Sequence, residues 1–163
     1  FSMARIKYEE ENIPAQFMRE EIALFLAKEK SLAFGDLKDL SLLITADTIV
    51  WCDNKLLGKP SDYSDAAQML SLLSDKWHDV ITGVCLRTNE KTVSFYDLTR
   101  VKFAKLSTEE IRHYIELFKP YDKAGAYGIQ EWIGNIGIET IEGSYFNVMG
   151  LPTQKLYQNL KEF

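Results

Sequence analysis

The run Leu42 to Cys52 constrains this chain more than any other segment. It is apolar and β-branched through its middle, with Leu43-Ile44-Thr45-Ala46 before a single carboxylate, Asp47, and Ile49-Val50 after it. A run of this kind reads as a strand buried on both faces. Asp53-Asn54 then offers a turn into Lys55-Leu56-Leu57. An ionised carboxylate is costly inside such a strand unless something compensates it. Asp47 is therefore the first candidate functional residue, because a strand end facing a ligand cleft is where α/β sheets commonly place chemistry. The structural alternative is a carboxylate that caps a neighbouring turn or helix.

Helical and extended patterns alternate along the rest of the chain, with no low-complexity linker, internal repeat or composition shift. Phe17 to Phe34 carries Ile22, Phe25, Leu26 and Ala33 near helical spacing, with Gly35 placed as a stop. A second helix is expected at about Asp62 to Leu73. Val80 to Arg87 and Thr92 to Phe103 read as a strand pair around Thr88-Asn89-Glu90-Lys91. Ser107-Thr108-Glu109-Glu110 is a capping box that starts a helix ending near Lys119-Pro120, and a last helix follows Pro152. The expected fold is one α/β domain over residues 1–163, a mixed twisted sheet flanked by helices.

At 163 residues and 46% apolar content the chain is long enough to bury a sizeable core. Its net charge of −5, from 24 acidic against 19 basic residues, speaks against nucleic-acid binding by bulk electrostatics. An anionic ligand must find a local basic pocket instead. Cys52 and Cys85 lack metal-ligand spacing and lie in apolar strand-like segments, so buried free thiols in a reducing compartment are expected. No apolar run approaches the roughly 20 residues of a membrane span, and no signal peptide is recognisable. Cytoplasm is the expected location, with no membrane partner.

Two segments look built to meet a ligand. In Asp122-Lys123-Ala124-Gly125-Ala126-Tyr127-Gly128-Ile129-Gln130 a charged pair runs straight into two glycines. Glycine tolerates positive φ and lets backbone come close, while Asp and Lys supply a carboxylate and a point charge suited to metal or phosphate. Gly58-Lys59-Pro60 places another lysine where the chain turns after a short strand. Taken alone, each segment is equally well explained as an exposed loop with a surface charge. Trp77, Trp132 and Tyr145 are expected in the core, Asn147 at a turn or strand end, and neither His78 nor His113 has triad or ligand spacing.

Read together, Ala46-Asp47-Thr48, Gly58-Lys59-Pro60, the 122–130 segment and Ser144-Tyr145-Phe146-Asn147-Val148-Met149-Gly150-Leu151-Pro152 resemble the Maf-like nucleoside triphosphate pyrophosphatases, in the family's order and approximate spacing from about Glu9 to Phe163. The resemblance implies an elongated twisted sheet with two lobes and an active-site cleft between them, the fold also seen in inosine triphosphatase-like proteins. It implies a nucleoside triphosphate diphosphatase, and dimerisation is expected from it as well.

By the same resemblance Asp47 is the proton acceptor that activates the attacking water, through a bound Mg²⁺ or Mn²⁺. Lys59 and Lys123 would meet phosphate oxygens. Lys30 is matched through Ala27-Lys28-Glu29-Lys30 to a lysine that lines the site, although a cation near a helix end also complements the macrodipole without any ligand. Glu11, from the acidic run Glu9-Glu10-Glu11, best matches a residue that helps to hold the metal. Such an all-oxygen site suits a hard cation that borrows phosphate oxygens from its substrate. Thr48 and Gln130 match the subgroup acting on dTTP and UTP, and both side chains can hydrogen-bond a pyrimidine edge.

The family opens with a strand and a Ser-x-Ser-Pro-Arg-Arg loop that this sequence does not contain; Ser2 and Arg5 take no role from it. A removed or missing start is the expectation, since losing a central strand would expose apolar surface and unpaired backbone. Alternatives are the 7-methyl-GTP pyrophosphatase branch, whose members carry other residues at the positions of Thr48 and Gln130, and a non-catalytic nucleotide-binding regulator of cell division and septum formation.

Overall fold

The computed structural model describes Met3 and residues 13–163. Five strands form one sheet in the order β2-β1-β3-β4-β5: β1 Leu43–Cys52, β2 Lys55–Leu57, β3 Trp77–Arg87, β4 Thr92–Phe103 and β5 Ile138–Glu142. The helices are α1 Glu20–Ala33, α2 Tyr63–Leu73, α3 Thr108–Phe118, α4 Trp132–Gly137, α5 Tyr145–Val148 and α6 Thr153–Glu162. The α/β class and the flanking helices are as expected. Every pairing among the described strands is antiparallel, however, where a mixed sheet was expected. Hairpins β1-β2 and β3-β4 dominate the order, and a two-residue or short turn can only join antiparallel neighbours.

The alternation along β1 sends its residues to two different layers. Ile49, with Ile81 of β3, packs beneath α1 against Ile22, Ala23 and Leu26. Val50 and Cys52, on the other face, join the main core with Leu70, Leu73, Phe103 and Tyr114 from α2, β4 and α3. A third cluster, Val84 and Leu86 with Leu156, seats α6 on the same sheet. The buried-on-both-faces reading of β1 thus holds because helices cover each side.

The seat of α1 depends on one glycine. A Cβ at Gly83 would lie 2.2 Å from the Ala23 carbonyl oxygen, so only glycine lets α1 descend onto β3. Thr45 Oγ1 donates to the Ala27 carbonyl at 2.7 Å and fixes the helix lengthwise. These contacts set where the last turn of α1 falls over the sheet. The capping box at the start of α3 is present, with Glu110 N to Ser107 Oγ at 3.2 Å and Ser107 N to Glu110 Oε2 at 2.7 Å.

Three side-chain placements differ from expectation. Trp77 and Tyr145 are partly exposed at 37% and 41%, and Arg100 lies over the Trp77 ring. Asn147 lies fully buried within α5 rather than at a turn or strand end, and its amide donates to the Val80 carbonyl and Thr99 Oγ1. Among the described residues no helix is long and apolar enough to cross a membrane, and Cys52 and Cys85 are buried free thiols.

Candidate active site

Strand β2 is short, and that shortness makes the site. It pairs only with Val50, Trp51 and Cys52, so among the described residues the Ala46–Ile49 stretch has β3 on one side and no strand on the other. A cavity of about 280 Å³ opens along this bare edge. At an edge, side chains from both faces of a strand can reach the same space. Asp47, on the α1 face, and Thr48, on the opposite face, accordingly both line it.

Each remaining element delivers one polar group. The last turn of α1 brings Lys30, whose Nζ lies 2.7 Å from Asp47 Oδ2 and 3.5 Å from the Ala46 carbonyl. Asp47 is 8% exposed, and this ammonium offsets the cost of burying its charge. The turn after β2 brings Lys59, and the 122–130 segment brings Lys123 and Gln130.

Backbone stitching holds those two loops together. Gly125 N donates to the Gly58 carbonyl at 3.0 Å. Gly125 itself has φ 67° and sits against Val50, where a Cβ would come within 3.0 Å of a valine methyl, so the turn needs glycine both for conformation and for space. Lys59 and Lys123 are thereby presented to one cavity from loops far apart in sequence.

Lys123 is clasped by two carboxylates, Asp122 at 2.8 Å and Glu131 at 3.2 Å. Partial burial works against its charge, but the two hydrogen bonds outweigh it and hold the ammonium above the ordinary lysine range. The bond from Lys123 in turn holds the Asp122 carboxyl below its ordinary value. Behind Glu131 lies Tyr114, fully buried, whose hydroxyl donates to Glu131 and accepts from Gly128 N at 3.1 Å. Burial, and then the bond to Glu131, push the Tyr114 hydroxyl upward, so it stays protonated. The Tyr114–Glu131–Lys123 chain was not legible in the sequence, because it depends on α3 packing beneath the glycine-rich segment.

The structure thus brings Lys30, Asp47, Thr48, Lys59, Lys123 and Gln130 to one cavity. Glu11 lies outside the described residues. Among the described residues no group of three or more His, Cys, Asp or Glu side chains is arranged to hold a metal ion. His78 is buried against Phe103 and Tyr127, its Nε2 2.8 Å from the Tyr127 hydroxyl, in a core position rather than a triad.

A bare strand edge carrying a buried carboxylate, with Lys30, Lys59, Lys123, Asp122, Thr48 and Gln130 around it, defines an α/β protein with one charged, polar cleft. Residues 1–163 match the profile of the Maf-like proteins. A protein of Flavobacterium psychrophilum, named dTTP/UTP pyrophosphatase, is 54% identical over 154 residues, 94% of this chain and 79% of the relative. Relatives of the same name from Phocaeicola vulgatus and Flavobacterium johnsoniae are 54% and 52% identical, over 96% of this chain and 86% and 81% of their own lengths. The chain belongs to the Maf family.

Proposed function

We propose that this protein hydrolyses dTTP and UTP to the nucleoside monophosphate and pyrophosphate. The observation that carries the reading is the Asp47–Lys30 pair at 2.7 Å inside a cavity that also holds Lys59, Lys123, Thr48 and Gln130. Charge and neutrality are separated in that set: lysines for a triphosphate, hydroxyl and amide for a base.

Asp47 takes a proton from a water that attacks the α-phosphorus. The bond from that phosphorus to the bridging oxygen breaks, and pyrophosphate leaves with the electron pair. Negative charge developing on the bridging and terminal oxygens meets the ammonium groups of Lys30, Lys59 and Lys123, which need little rearrangement if they already stand in the cavity. Gln130 offers both a donor and an acceptor to a pyrimidine edge, and Thr48 offers its hydroxyl. One catalytic domain supplies all of these groups.

A divalent cation fits the chemistry of the donor set. Asp47 provides a hard carboxylate oxygen at the cavity wall, and Glu11 together with Asp47 would hold Mg²⁺ or Mn²⁺, with substrate oxygens and waters completing its shell. When bound it would supply charge neutralisation at the phosphates.

The test is pyrophosphate release from dTTP, UTP, CTP, GTP and 7-methyl-GTP with Mg²⁺ or Mn²⁺. Selective release from dTTP and UTP, with monophosphate as co-product, supports the reading. Preference for 7-methyl-GTP would move the protein to another branch of the family, and binding without turnover would make it a nucleotide-binding regulator.

A further inference from the structure

We propose that Thr82 is a positioning residue that fixes the Thr48 hydroxyl as a hydrogen-bond acceptor toward the cavity, and so makes the site discriminate uracil and thymine from cytosine. The proposal rests on the pyrophosphatase reading above and concerns how the base is told apart.

Thr48 and Thr82 are direct cross-strand partners on β1 and β3, with their Oγ1 atoms 2.8 Å apart. Each hydroxyl has one proton to give. Thr82 is fully buried, and its Oγ1 also lies 3.1 Å from the Asn147 carbonyl, which can only accept. Thr82 gives its proton to this carbonyl, which also accepts from Gly150 N at 2.9 Å. In the bond between the two threonines Thr48 must then be the donor, which leaves lone pairs, and no proton, to face the cavity.

The rest of the buried chain runs in the same polarity. Asn147 Nδ2 donates to the Val80 carbonyl at 3.1 Å, which fixes the amide's orientation, and to Thr99 Oγ1 at 3.0 Å. Thr99 Oγ1 gives its own proton to the Ser144 carbonyl at 3.2 Å and accepts from Ser144 N at 3.0 Å. Thr82, Thr99 and Asn147 are all shut off from solvent. Each buried hydroxyl of this chain thus points its proton at a backbone carbonyl, Thr82 at Asn147 and Thr99 at Ser144.

The ring N3 of uracil and thymine carries a proton, whereas N3 of cytosine is a bare acceptor. An acceptor-only Thr48 meets the first with a hydrogen bond and the second lone pair to lone pair. Gln130 cannot make this distinction by itself, because an exposed amide can turn over to offer donor or acceptor. A hydroxyl whose proton is held from behind cannot.

Steady-state kcat/KM for UTP and CTP, measured for wild type, Thr82→Val and Thr82→Ser, tests this. In the valine variant the Thr48 hydroxyl is released to donate into the cavity, and the UTP:CTP ratio should fall by about tenfold. The serine variant should keep the wild-type ratio. A valine variant that loses activity on both substrates in parallel, with its ratio unchanged, overturns the proposal, since a merely structural role predicts that result.

Should Thr82→Val not fold, 5-fluoro-UTP supplies the test in the wild type, because fluorine makes the N3 proton more acidic. Its KM should rise at a lower pH than that of UTP, and Thr48→Val should abolish the difference; coincident wild-type profiles overturn the proposal. A wild type that releases no pyrophosphate from either nucleotide would remove the pyrophosphatase reading and this proposal with it, whereas an unchanged ratio removes this proposal alone.

Discussion

Lys30 Nζ stands 2.7 Å from Asp47 Oδ2, with the lysine on the last turn of α1 and the aspartate on the bare edge of β1. Neither residue's setting is arbitrary. The strand needs a cation at that point to bury a carboxylate, and Gly83 and Thr45 fix the helix at the height that delivers one.

If Asp47 is the base, Asp47→Asn should lower kcat by about 10²–10⁴ while nucleotide binding persists. Lys30→Gln should lower it by about 10²–10³ as one cation is lost from the developing charge. Because the groups touch, the double variant should fall short of the product of the two losses. Pyrophosphate release from dTTP by all three variants, alongside direct titration of binding, measures this. Wild-type turnover in Asp47→Asn would remove Asp47 from the base role.

Tyr114→Phe isolates the support behind Lys123. The change leaves Gly128 N without its acceptor and takes a donor from Glu131, both next to a fully buried position. An unmet buried group costs about 1–3 kcal/mol, so denaturant unfolding should show a loss of that size. A second effect should follow at the site, a raised KM for dTTP, since Glu131 orients Lys123. Loss of stability with KM unchanged would mean that the hydroxyl only packs the core.

The strands, the β3-β4 hairpin and the start of α3 were legible because their signals are local: β-branched runs, a turn, a reciprocal cap. The pocket-lining lysines, Asp47, Thr48 and Gln130 were legible because they sit in motifs whose order can be matched. What escaped was whatever depends on register. Thr82 is unremarkable until β3 is laid against β1 and its hydroxyl falls opposite Thr48. Glu131 and Tyr114 gain meaning only when α3 lies under the glycine-rich turn. Asn147 reads as a turn residue in isolation, yet its amide ties the chain before Met149 and Gly150 to β3 and β4. Trp77 escaped the core because Arg100 covers its ring from the adjacent strand, which gives an aromatic side chain shelter without burial.

Gly83→Ala tests the seat of α1. A Cβ there would stand 2.2 Å from the Ala23 carbonyl oxygen and 2.7 Å from Leu24 N, backbone atoms that cannot rotate away. The helix must lift, and a loss of about 3 kcal/mol or more is expected, at the upper end of what overpacking costs. Lifting α1 also withdraws Lys30 from Asp47, so activity should fall even at temperatures where the variant remains folded. Thermal unfolding and pyrophosphate release measured together check both effects.

His78 makes the acid side of the stability curve predictable. Its ring is 3% exposed between Phe103 and Tyr127, and burial pushes it from the ordinary 6.5 down to about 3. Above pH 6.5 both folded and unfolded chains hold a neutral imidazole, and this group gives no pH dependence. Below it the unfolded chain takes up a proton that the folded chain refuses, so stability is lost as pH falls, by up to about 1.4 kcal/mol per pH unit. The carboxyls of Asp75, Glu110 and Asp122 are held low by their partners and also cost stability in acid, but only as pH approaches their ordinary values of 3.8, 4.5 and 3.8. The window from about pH 6.5 to about pH 5 therefore belongs largely to His78. Urea unfolding across that window should slope for the wild type and lie nearly flat for His78→Gln, whose amide can still meet the Tyr127 hydroxyl. Equal slopes in the two proteins would show that the imidazole accepts its proton without leaving the core.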